Sequence, residues 1–235
     1  MSVVPSVIVL ILVLLILMVL QLIPGTFAIF YHSALGKNSS KKADNLSLWF
    51  TLGVEFFATA VWLICYFVLF VIFYNVGQVQ ESLLWWILAG IVAVESVLVI
   101  LVYYRKKMPK NSTALFVPRR YVRKTQAEIR MVKNQREAVA VGFFAGVPEL
   151  IFSLPLFVVA NVVLLYTTNI VRAIVIILGI LAMVLPLFVI RFMFRAGQNL
   201  VDIQKMRVKM KPVLMVVIPC GYLAVAGILM WMGAK

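Results

Sequence analysis

This chain is poor in the residues that many enzymes and metalloproteins use for chemistry. Its 235 residues include one histidine, two cysteines and eight acidic residues. A single histidine excludes a haem held by two histidines. Cys65 and Cys220 lie inside apolar stretches without C-x-x-C spacing, so neither a disulfide framework nor a zinc site is indicated. We therefore expect no cofactor, and the sequence leaves the question of a bound metal open.

Several familiar catalytic and channel motifs are also missing. The chain has no H-E-x-x-H, G-x-S-x-G, Walker or TVGYG sequence. No lysine lies inside a predicted span, where a retinal Schiff base would need one. Intramembrane enzymes can use scattered acids, so an enzyme acting on a lipid is a third hypothesis behind the two functions given below.

Long apolar stretches dominate the sequence. Hydrophobic residues make up 64% of the chain, and the mean hydropathy is +1.08. Such a chain has too little polar surface to cover a water-soluble globule, so the bilayer is the solvent that suits it. A hydrocarbon layer of about 30 Å needs a helix of about 20 apolar residues. Six segments reach this length, and we predict a single membrane domain, an all-α bundle of six transmembrane helices. The predicted spans are residues 3–23, 48–74, 83–104, 138–166, 170–194 and 212–231.

The first apolar segment could be mistaken for a signal peptide. It has no positively charged residue ahead of the apolar run, and no small-residue cleavage site follows the run. We interpret residues 3–23 as a span that stays in the protein.

The distribution of positive charge sets the predicted orientation. The formal net charge is +14, and every Lys and Arg except Arg172 and Lys235 lies in residues 31–47, 105–136 or 191–211. Cytoplasmic flanks of membrane spans carry such an excess of Lys and Arg. We therefore expect these three loops inside, both termini outside, and a multi-pass protein of the plasma (inner) membrane.

The cytoplasmic basic loop, residues 105–137, is the most strongly charged of the three. We predict that a cluster within it contacts anionic lipid headgroups or a soluble partner, and that nucleic acid is not a ligand, because the charges flank apolar spans. The cluster consists of Arg119, Arg120, Arg123 and Lys124. Short helices are expected on the same surface at about residues 27–35 and 198–210. Thr125 and Glu128 fit a capping box, which predicts a helix that runs without interruption into the span 138–166.

Three glutamates, Glu55, Glu95 and Glu149, lie inside predicted spans. An ionisable group in hydrocarbon is costly and usually faces a bundle interior, a cavity or a partner. A rise of about 1.5 Å per residue places all three between the midplane and the inner face, so they are able to converge there. Ser153, one helical turn after Glu149, and Asn161 are further candidate ion-binding residues.

These acids favour a small transporter or channel subunit that handles a proton, a cation or a cationic solute. The alternative is a non-transporting scaffold or accessory subunit whose basic face docks anionic lipid or a soluble partner. Arg191 supports this alternative, because its depth is close to that of Glu55 and a buried ion pair would join two helices without transport. Six helices enclose little volume, which is compatible with a homo-oligomer or a membrane-complex partner.

Overall fold

The computed structural model of the protein confirms the all-helical class. It describes residues 3–21, 26–35, 39–76, 81–105, 127–129, 131–147, 150–197 and 200–234, and no strand occurs among them. The main helices, in chain order, are α1 (Val3–Gln21), α2 (Thr26–Leu35), α3 (Ser40–Val76), α4 (Glu81–Arg105), α5 (Gln135–Ala145), α6 (Leu150–Leu165), α7 (Asn169–Arg195) and α8 (Leu200–Gly233).

Four of these helices are long and apolar enough to cross a membrane. The apolar stretches are Lys41–Tyr74 in α3, Glu81–Leu101 in α4, Ile170–Arg195 in α7 and Pro212–Gly233 in α8. The described apolar stretches of α1 and α6, Pro5–Leu20 and Ser153–Leu165, are shorter. The structure thus supports a membrane helix bundle, and the count of six spans stays a prediction.

The predicted span 138–166 is divided between two helices, α5 and α6. Helix α5 ends at Ala145, and the backbone N–H of Gly146 closes its last turn by donating to the carbonyl oxygens of Phe143 and Phe144. A proline follows at position 148 and has no N–H with which to continue a helical ladder. Pro148 itself and Glu149 lie outside the described residues.

The start of α5 is set by a cap other than the predicted one. The Asn134 Oδ1 accepts a hydrogen bond from the backbone N–H of Glu137, and the Glu137 carboxylate accepts from Asn134 Nδ2 and from the backbone N–H of Lys133. The Lys133 hydrogen bond contributes most to lowering the pKa of Glu137. Residues 132–134 are not helical, so the prediction of an uninterrupted helix from the Thr125 capping box into the span is wrong.

Helix α8 joins two segments that the sequence separates. The predicted surface helix 198–210 and the predicted span 212–231 lie in one helix, with Pro212 and Pro219 inside it. At about 1.5 Å per residue this helix is about 50 Å long, well beyond the hydrocarbon thickness. Its first turns, which carry Asp202, Lys205 and Lys209, therefore extend past the part that suits a membrane core.

The buried apolar side chains of the described residues form two hydrophobic cores. The larger one is built from α1, α3, α4, α6, α7 and α8, with Trp62 and Trp85 among its fully buried side chains. The smaller one joins α2, α5, the first half of α3, the end of α7 and the start of α8. We call this second region the basic end, because Arg191 and Arg195 lie there.

A pair of glycines lets α3 and α5 approach each other closely. A Cβ atom on Gly53 would lie 2.1 Å from the Val139 carbonyl oxygen, and a Cβ on Gly142 would lie 2.1 Å from the Phe50 carbonyl oxygen. Both obstacles are backbone atoms, which cannot rotate away as a side chain can. The contact between these two helices therefore requires glycine at both positions.

Candidate functional site

The candidate site is centred on Glu95, in the middle of α4. The buried residues of α4 follow helical spacing and form a stripe that contains Glu95 and Ser96. Helix α4 packs most extensively on α8 and also contacts α6. Glu95 lies about 21 Å from the start and about 15 Å from the end of its helix by rise, which places the carboxyl group deep in a membrane-length helix.

Two groups of α8 lie beside this stripe. The Ser96 hydroxyl donates a 3.1 Å hydrogen bond to the Pro219 carbonyl oxygen, which ties the two helices together next to Glu95. Tyr222, whose side chain is fully buried, lies on α8 one turn after Pro219. The site therefore combines the Glu95 carboxyl group with the Tyr222 phenol and with the Ser96 hydroxyl, which is hydrogen-bonded to α8.

The Glu95 carboxyl group is buried, and one of its oxygens lacks a hydrogen-bond partner in the described part of the chain. Its side chain is 7% exposed, and the oxygen without a partner there is Oε1. A buried carboxylate without a cationic partner is so costly that the group takes up a proton instead. Chemically, the carboxyl group is able to hold one proton.

In the described part of the chain, the predicted glutamates do not form one cluster. Glu55 is half-buried on α3, which packs mainly on α5, α2, α6 and α7, whereas Glu95 faces α8. Glu149 lies outside the described residues. Among the residues that are described, no group of three or more His, Cys, Asp or Glu side chains is placed to hold a metal ion. The described site therefore has a single carboxylate.

The two predicted polar residues of α6 are buried away from solvent. Asn161 is fully buried, and its Nδ2 donates to the carbonyl oxygens of Phe157, at 2.9 Å, and of Trp62, at 3.5 Å. The bond to Trp62 connects α6 to α3, and the bond to Phe157 lies within α6, while Asn161 Oδ1 lacks a partner within the described chain. Ser153 is buried on the same helix. Asn161 thus forms an interhelical hydrogen bond of the kind common in membrane bundles.

Arg191 forms an ion pair, but with Asp44 and not with the predicted partner Glu55. Arg191 Nε lies 2.7 Å from Asp44 Oδ1 and Nη2 lies 2.8 Å from Oδ2, a bidentate geometry. Arg195, one turn further along α7, also bonds both oxygens of Asp44, with Nε 3.1 Å from Oδ1. Asp44 precedes the predicted span 48–74, so this cluster lies at the basic end and joins α3 to α7.

Tyr31 of α2 completes the Asp44 cluster. Its hydroxyl lies 3.5 Å from Asp44 Oδ1, and its ring stacks on Phe194 with the centroids 4.7 Å apart. Burial of the ring, followed by the charge of Asp44, raises the pKa of the Tyr31 hydroxyl. The hydroxyl therefore remains a hydrogen-bond donor, and three helices meet at one carboxylate.

Arg172 also has a structural role that the sequence did not reveal. Its guanidinium donates to the carbonyl oxygens of Leu164, at 3.1 Å, and of Thr167, at 3.1 Å, and to the Tyr66 hydroxyl at 2.8 Å. Carbonyl groups at the end of a helix have no partner within the helix, and a cation there satisfies them. Arg172 therefore closes the end of α6 and links it to α3. The one signal in the sequence is that Arg172 lies apart from the three basic loops.

The basic cluster Arg119, Arg120, Arg123 and Lys124 lies outside the described residues, so its contacts stay a prediction.

The fold and site together define an all-helical bundle with membrane-length helices and a buried acid. Comparison with protein-family models, curated proteins and solved structures found no match.

Proposed function

We propose that this chain is a small integral membrane transporter or channel subunit that moves a proton by way of Glu95. The observation that carries the proposal is a buried carboxyl group with an unpartnered oxygen at the α4–α8 interface. A single carboxylate suits a proton better than a metal cation, because hard cations are held by several oxygen ligands. Glu149, Glu55, Ser153 and Asn161 are secondary members of the pathway.

The topology that goes with this proposal has six spans and both termini outside. Helices α1 and α6 then cross the plasma membrane together with the four longer helices. By rise, Arg172 and Arg191 on α7 are about 28 Å apart, which matches a hydrocarbon layer of about 30 Å. This spacing would let the two charges of α7 reach opposite membrane surfaces, which supports the proposed topology.

Proton flux in proteoliposomes tests the proposal. Vesicles that contain the purified protein and an internal pH-sensitive dye receive an imposed pH gradient, with a potassium ionophore to prevent charge build-up. We expect the wild-type protein to dissipate the gradient and Glu95→Gln to reduce the rate to that of protein-free vesicles, because an amide cannot carry the proton. Glu81→Gln, an exposed position on the same helix, is the matched control and should retain the wild-type rate.

The opposite outcome would be equally informative. Equal flux through wild-type protein and Glu95→Gln would exclude Glu95 as the proton carrier. If Glu55→Gln lost proton flux and Glu95→Gln did not, the proton carrier would be Glu55 on α3.

The second candidate function is the non-transporting scaffold or accessory subunit. It is favoured by one observation, namely that Asp44, Arg191, Arg195 and Arg172 all serve to join helices. Such a protein would show no flux above empty vesicles in the assay above, and its buried acid would serve only packing.

A further inference from the structure

The basic end carries an open groove that the functions above do not use. It has a volume of about 440 Å³, and its described lining comes from the last two turns of α7. The lining residues are Phe188, Val189, Arg191, Phe192 and Arg195. The groove therefore combines two guanidinium groups with an apolar wall.

The charge of the groove is positive despite the ion pairs. Arg191 and Arg195 share the single carboxylate of Asp44, so one positive charge is left over. Each guanidinium has five N–H donors, and the bonds to Asp44 engage only some of them. Arg195 has 57% of its side chain exposed, whereas Arg191 has 13%. Arg195 is thus the residue placed to meet an external anion.

The apolar wall lies before Arg195 along α7, toward the middle of the predicted span 170–194. Phe188 and Phe192 are one helical turn apart, and Phe192 is 72% exposed. A ligand with its anion at Arg195 would place further atoms along these rings, toward the membrane core. An inorganic phosphate would leave this wall uncovered, whereas an acyl chain would cover it.

We propose that this groove binds one anionic phospholipid, with the phosphodiester at Arg195 and Arg191 and an acyl chain along Phe188 and Phe192. Charge complementarity favours an anionic lipid over a zwitterionic one, because the latter brings its own cation to the guanidinium groups. The site differs from the cluster of residues 119–124 and is independent of the proton pathway. Asp44 holds the two guanidinium groups in place, so the headgroup site is formed before the lipid arrives.

Native mass spectrometry of the whole protein tests this proposal. The protein is released from micelles that contain equal amounts of phosphatidylglycerol and phosphatidylcholine with the same acyl chains. We expect the wild type to retain phosphatidylglycerol in preference, and Arg195→Gln to lower that preference about fivefold, the effect of one surface charge. Arg191 keeps its bidentate pair with Asp44 in this variant, which preserves the fold. Phe192→Ala should weaken retention of phosphatidylglycerol without any change of charge.

Two controls make the result specific. Lys205→Gln removes an exposed cation near the same end of the bundle but outside the groove, and it should leave the lipid preference unchanged. Soluble glycerol phosphate should fail to displace the lipid. The proposal is overturned if the two lipids are retained equally, if Lys205→Gln acts as strongly as Arg195→Gln, or if glycerol phosphate displaces the lipid, which would indicate a site for a free phosphate.

Discussion

Gly142→Ala is expected to destabilise the protein by about 3 kcal/mol, near the upper end of the range for overpacked cores. The added methyl group would meet the Phe50 carbonyl oxygen at 2.1 Å, so α3 and α5 would have to separate. For a chain of this size, such a loss corresponds to a fall of about 6 to 12 °C in the apparent Tm. Thermal unfolding in detergent, followed by tryptophan fluorescence, measures it.

Gly90→Ala is the matched control for this prediction. Gly90 lies inside α4, and a Cβ there would meet nothing within 4 Å. Replacing glycine by alanine inside a helix gains about 1 kcal/mol of helix propensity at either position, so the difference between the two variants isolates the steric clash. Equal Tm values for Gly142→Ala and Gly90→Ala would show that the α3–α5 contact is looser than described. Gly53→Ala tests the same contact from the other helix and should behave like Gly142→Ala.

Asp44→Asn is expected to lower the free energy of unfolding by about 2 kcal/mol. Loss of a fully buried ion pair would lower it more, but here Arg195 is exposed to water. The variant keeps the size of the side chain but leaves the Arg191 guanidinium, with only 13% of its side chain exposed, without a counter-charge. The same fluorescence measurement should show a fall of about 4 to 8 °C in the apparent Tm.

Glu55→Gln distinguishes the observed ion pair from the predicted one. Because Arg191 bonds Asp44, neutralising Glu55 should leave Tm close to that of the wild type. A double-mutant cycle of Asp44→Asn with Arg191→Gln should give a coupling energy of about 1 to 2 kcal/mol. Additive effects in that cycle, or a larger loss in Glu55→Gln, would contradict the assignment.

The helical class and the membrane-length helices were predictable because both depend on local properties of the sequence. Apolar runs such as 170–194 are long enough to specify a helix regardless of neighbouring helices. The ends of helices were harder to predict. Thr125–Glu128 and Asn134–Glu137 both offer an N-cap with a glutamate three residues later, and the observed start of α5 uses the second. The predicted helix start used the first pair alone.

The site was harder to predict because nearly every residue of a membrane-spanning helix is apolar. In such a helix hydrophobicity does not separate the face that meets lipid from the face that meets protein. Glu95 was identified as a buried acid, but its neighbours Ser96, Pro219 and Tyr222 depend on how α4 packs on α8. Depth along the membrane favoured the wrong partner for Arg191. Glu55 and Asp44 both lie on α3, about 16 Å apart by rise, and the way α3 packs on α7 brings Asp44 to Arg191.

Carbodiimide labelling of the folded protein tests the role of Glu95 most directly. Dicyclohexylcarbodiimide is apolar and reacts with neutral carboxyl groups, so it should modify a protonated acid within a membrane bundle and spare an ionised acid in water. After reaction at neutral pH in liposomes, mass spectrometry of the peptides should find the adduct on Glu95 and none on Glu81, together with loss of proton flux. An unmodified Glu95, or a labelled Glu95 with flux intact, would contradict the proposal that this residue carries the proton.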